Sequence, residues 1–170
     1  MSKSTILSGA AGQLPRPSTT QTLLSATLVS GVLDATAGVI VYYLLKGLNP
    51  IQVLQYIASG ALGSSAFEGG LLMALVGMLF HFTIAFAFSL GFFLVYPLVQ
   101  KLTNWNVYIT GLLYGLFIWL FMNLLVLPNS AIPRAAFSPL AAGLEIAWHM
   151  TLVGLPMVYL IKKHFDAKDF

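Results

Sequence analysis

Four long apolar runs govern what this chain can become. They lie roughly at Thr22–Leu45, Leu71–Val99, Val107–Leu127 and Ala141–Ile161, each broken by only a few polar residues. A helix needs about 20 mostly apolar residues to cross the hydrocarbon core of a bilayer, and each run supplies that. A closed β-barrel is the other spanning solution. Its strands alternate apolar and polar residues, whereas these runs are continuously apolar. The prediction is therefore an all-α integral membrane bundle of four transmembrane helices, with a short interfacial or re-entrant helix added.

Composition points the same way. Of 170 residues, 58% are hydrophobic and 8% charged. Soluble domains carry about 25% charged residues, so this chain could not cover a water-facing surface. Disorder and coiled coil are excluded on the same ground. A net charge of +3 makes no basic patch, which argues against a nucleic-acid partner and leaves the lipid bilayer as the expected one. With no cysteine, disulfides, thiolate metal sites and thiol nucleophiles are ruled out. Residues 1–20, rich in Ser, Thr, Gly and Pro, read as a disordered tail. Residues 21–163 form the membrane domain, and 164–170 a second tail that begins at His164. The first run exceeds the about 7–15 apolar residues of a signal peptide and reads as a retained span.

With four spans both termini share one side, which holds Lys3, Arg16, Lys101, Lys162, Lys163 and Lys168. Lys46 and Arg134 lie on the other. The bias towards the terminal side predicts cytoplasmic termini. Tyr42, Tyr43, Trp105 and Tyr108 near span ends read as interfacial anchors.

The outer loops carry structure of their own. Asn49-Pro50 suits a helix start, and Gln52 completes a capping box. Ile51, Leu54 and Ile57 then recur, and Gly60 is placed to end a helix over 50–59. Gly63-Ser64-Ser65 reads as a loose run before Glu68 and Gly69-Gly70. The second outer loop, from Pro128 to Pro139, holds three prolines that limit regular structure. It also holds Arg134, which could pair with Glu68 or Glu145 or meet a lipid phosphate. No internal repeat is visible, so an inverted-repeat transporter has no support.

Ionisable residues within spans are costly and mark functional sites by default. At about 1.5 Å per residue, Asp34, His81 and His149 fall roughly 17, 15 and 12 Å below the outer face, and Asn123 and Glu145 about 6 Å. The expectation is two layers: Asp34, His81 and His149 meeting near mid-membrane, with an Asp34–His81 pair, and Glu145, Asn123 and Glu68 above them. Glu145 and His149, four apart, share a helix face. Gly111/Gly115, Ala87/Gly91 and Gly143/Ala147 are small-residue pairs that permit close helix approach.

Asp, Glu and His chains recur in proton and ion relays. The same residue types could ligate zinc or iron, and two histidines could hold haem, but no metal or haem motif is present. The group could also serve only to bind helices together. Passage or sensing of a proton or small solute is the leading expectation. The alternatives are a metal- or haem-binding enzyme and a non-catalytic structural or assembly factor. No catalytic residue, cofactor or metal can be assigned, and a homo-oligomer is compatible with the sequence.

Gly31-Val32-Leu33-Asp34, Leu54-Gln55-Tyr56-Ile57-Ala58-Ser59-Gly60, Ala66-Phe67-Glu68-Gly69-Gly70 and His81-Phe82 together resemble a group of small uncharacterised bacterial inner-membrane proteins, in outline the YagU-like proteins. The resemblance spans roughly residues 25–160. It implies a bacterial plasma-membrane location and transfers no site residue.

The orientation is testable in cells. A single cysteine introduced as Ser65→Cys should react with an impermeant maleimide from outside. Reaction only after the membrane is opened would reverse the topology.

Overall fold

A computed structural model describes residues 17–103, 105–132 and 137–166. Arg134 and most of the 1–20 tail lie outside the described residues. The described chain is helical, without strands: α1 (Thr19–Lys46), α2 (Pro50–Leu62), α3 (Gly70–Thr103), α4 (Val107–Asn129) and α5 (Pro139–Asp166). All but α2 are long and apolar enough to cross a membrane. The shortest of these, α4, has 23 residues. At about 1.5 Å per residue that exceeds the about 30 Å hydrocarbon core.

Sequence signals set the helix ends. Ser18 and Gln21 form a capping box at α1, so Thr19 and Thr20 belong to the helix rather than to a tail. Gly47, in the left-handed region at φ 68°, closes α1 by donating its N–H to the Tyr42 and Tyr43 carbonyls. Asn49 and Gln52 make the expected box at α2. The helix passes Gly60, however, and ends at Leu62, and residues Gly63–Phe67 form a 3-10 turn instead of a loose run. At the other terminus α5 continues through His164 to Asp166. His164 is buried, with Nδ1 3.0 Å from the Thr22 hydroxyl, and is not a solvated flank.

The outside of the bundle is apolar: Leu28, Leu79, Leu98 and Leu124 are all exposed. That is the surface hydrocarbon requires. Inside, packing is uneven along the bundle axis. Near the termini, Phe92, Tyr96, Met157, Val158 and Ile161 form a dense core, with the Phe92 and Tyr114 ring centroids 4.4 Å apart. Towards α2 the helices diverge and leave a cavity.

Helices α4 and α5 meet backbone to backbone. A Cβ on Gly115 would overlap the His149 carbonyl, one on Gly154 the Gly111 carbonyl, and one on Gly111 the Leu155 side chain and backbone. In the same way Gly77 of α3 receives the Leu54 carbonyl of α2. The Gly111/Gly115 pair is thus a true contact. Gly91 and Gly143 have no atom of another residue within contact range of a Cβ. Those two small-residue pairs do not mediate packing.

Both α4 and α5 widen locally into π turns, over Met122–Val126 and His149–Gly154. A proline stands two residues beyond each, Pro128 and Pro156. Proline lacks the N–H its i−4 carbonyl needs and its ring crowds that carbonyl, which accounts for the widening.

Overpacking the α4–α5 contact should be costly. Gly115→Val is expected to lower stability in detergent by about 1–3 kcal/mol. Gly91→Ala should stay within about 0.5 kcal/mol. Equal thermal unfolding of the two variants would show that the close approach is not formed.

Candidate functional site

The cavity measures about 200 Å³ and is lined by residues of all five helices. Its walls are mostly apolar. Asp34, His81, Asn123, Glu145 and His149 all line it, so the five residues singled out in the sequence share one space. None is fully buried: the Asp34 and His149 side chains retain 26% and 14% exposure. The floor is closed by Ile118, Val153 and Met157, which belong to the dense core.

Asp34 comes from the middle of α1. Its Oδ1 accepts a 2.8 Å hydrogen bond from the Trp148 indole N–H. The same oxygen is 3.9 Å from His149 Nε2. His149 Nδ1 is 2.7 Å from the Glu145 carbonyl oxygen. A carbonyl only accepts, so Nδ1 carries a proton and Nε2 is the nitrogen that faces Asp34. In the neutral ring the Nε2 lone pair faces a carboxylate. A proton on Nε2 turns that contact attractive. Asp34 and His149 thus stand within ion-pair range, a pair that exists only when the ring is protonated.

Glu145 lies one turn before His149 on the same face of α5. Its two oxygens are separately held: Oε1 accepts from the Tyr42 hydroxyl at 2.6 Å, and Oε2 from the Trp119 indole at 3.0 Å. Donors from α1 and α4 thus take the place of water around a carboxylate on α5. The Asn123 amide donates to the Trp119 carbonyl at 3.0 Å, which places it beside this pair. Tyr56 of α2 also lines the cavity. Burial and, secondarily, the Glu145 charge push its phenol above its usual range, so it stays a neutral hydroxyl.

Several expectations change here. His81 does not pair with Asp34; its Nε2 donates at 2.8 Å to the Gly31 carbonyl, about one turn away along α1. Phe82 fills the groove left by Gly31, and this draws α3 against α1 at that level. Asp34 turns to α5 instead. Glu68 is exposed and does not line the cavity, so the outer layer lacks it. Tyr42 is a carboxylate ligand as well as an aromatic near a span end. No three His, Asp or Glu side chains among the described residues group closely enough to share a metal ion.

Sequence reasoning missed Trp119 and Trp148. A signal existed: an indole N–H in mid-span must find an acceptor, and the acceptors available are few. No family model matches the chain, and neither a curated protein nor a solved structure matches it. The fold itself defines the class: a multi-pass helical membrane protein with a cavity among its helices that carries two carboxylates and two imidazoles in mostly apolar walls.

The two donors to Glu145 should be energetically coupled to it. Tyr42→Phe is expected to cost about 1.5–3 kcal/mol, as for a hydrogen bond to a charged group. The same change in a Glu145→Leu background should be nearly neutral. A double-mutant cycle in detergent with coupling below about 0.3 kcal/mol would show that the pair is not formed.

Proposed function

We propose that this protein binds and passes, or senses, a proton or small solute through the cavity. The observation that carries this reading is the Asp34–His149 pair, where the imidazole Nε2 faces a carboxylate oxygen 3.9 Å away inside a cavity of about 200 Å³. Placing an acid in a membrane span costs more than a helix-binding hydrogen bond returns. The closed floor fits a gated path or a sensor better than an open pore.

The charge bias of the loops and the resemblance to YagU-like proteins support a bacterial plasma-membrane location with both termini cytoplasmic. In that orientation α2 and the cavity face outward. Lipid is the standing partner; a second copy of the chain is compatible with the apolar exterior.

One observation favours a purely structural role instead. Both Glu145 oxygens and His81 Nε2 are spent on bonds between helices. The two readings separate on Asp34 and His149. Tryptophan emission of the purified protein should respond to pH, because Trp148 donates to Asp34 and stacks on His149 at 5.6 Å. Asp34→Asn and His149→Gln should each abolish that response while the protein stays folded. Vesicles holding the wild type should also pass protons faster than either variant if the path conducts. A pH response that survives both substitutions would leave only the structural role.

A further inference from the structure

We infer that the solute this cavity accepts is a small organic cation, an ammonium group carrying short apolar substituents, held by Asp34 and Glu145 in a wall that includes the aromatic side chains of Tyr56 and Trp148; the Tyr42 ring already lies under the Lys46 ammonium at 5.0 Å. This rests on the reading of the cavity as a solute site and gives it a chemical class.

Charge decides the sign. The described residues lining the cavity include two carboxylates and no Lys or Arg. In a low-dielectric wall such a pair attracts a cation and rejects an anion. Size comes next. A space of about 200 Å³ is far more than a proton needs. It is smaller than the about 300–1,000 Å³ of pockets for drug-sized ligands.

The donors decide between a metal ion and an organic cation. Calcium and magnesium demand six or more oxygen ligands in a shell. Here the Glu145 oxygens already accept from Tyr42 and Trp119, and Asp34 Oδ1 accepts from Trp148. No cluster of three potential ligands exists among the described residues. Carboxylates hydrogen-bonded in this way by neutral donors keep their charge but offer fewer lone pairs. They act on a cation through the field, without coordinating it. Aromatic faces attract the same cation by their quadrupoles, and most strongly one that sheds water easily. Apolar walls, including Ile84 and Phe88, then suit the substituents on nitrogen. A neutral polyol would draw nothing from the charge of the two carboxylates.

The test uses choline and its uncharged isostere 3,3-dimethylbutan-1-ol, titrated against tryptophan emission of the full-length protein in detergent. Choline should bind saturably, and the isostere about tenfold more weakly or worse, as loss of a desolvated cation–π contact implies. Asp34→Asn and Glu145→Gln should each weaken choline by a similar factor and leave the isostere unchanged. Because the comparison of the two ligands is made on the wild type, it holds even if a variant does not fold. Equal binding of both ligands, or a response to potassium or manganese at matched concentration with none to choline, would overturn the assignment. If choline is inert while the pH response of tryptophan emission persists, the organic-cation class alone is wrong. If both are absent, the reading of the cavity as a binding site falls with it.

Discussion

Helix α5 lies against α4 at backbone distance, through Gly111, Gly115 and Gly154. In lipid no hydrophobic force drives helices together, so close packing of small residues has to do so. This contact fixes the rotation of α5. With Gly154 pressed on α4, Glu145, Trp148 and His149 are turned towards the bundle centre, where α1 brings Asp34 and Tyr42. The π turn starting at His149 adds to this placement. A helix of regular pitch through that segment would rotate its lower half relative to Glu145. Pro156 therefore influences the site from the side of the dense core without touching it.

The bundle answers the cost of two carboxylates in hydrocarbon with neutral donors. Indole and phenol groups take up three of the four carboxylate oxygen roles that water would fill, and none brings a charge of its own. A lysine or arginine partner would instead have paired each acid with a positive charge. The arrangement keeps negative charge in a partly dry cavity, which is where electrostatic attraction is strongest.

Helix α2 is part of the cavity wall. Its backbone meets α3 at Gly77, Gln55 donates to the Gly70 carbonyl at 3.0 Å, and the Ala131 N–H bonds the Gly60 carbonyl. The two connections on this face are thereby tied together. Tightly packed aromatics close the opposite end. One end of the bundle is thus built from short, hydrogen-bonded pieces and the other from interlocked large side chains.

The four spans were legible in the sequence because the bilayer acts on each segment separately: length and apolarity suffice, whatever the neighbours do. The capping boxes at Ser18 and Asn49 are local for the same reason. The polar residues that line the cavity were visible as well, since an acid or imidazole in a span announces itself. Their pairing was not. Equal depth suggested Asp34 with His81, yet depth leaves the rotation of each helix about its axis undetermined. That rotation is set by contacts between residues far apart in the chain, such as Gly31 with Phe82 and Gly115 with the His149 carbonyl. Only the tertiary structure, by fixing those rotations, could send His81 to a backbone carbonyl, bring Asp34 to His149, and make ligands of Tyr42, Trp119 and Trp148.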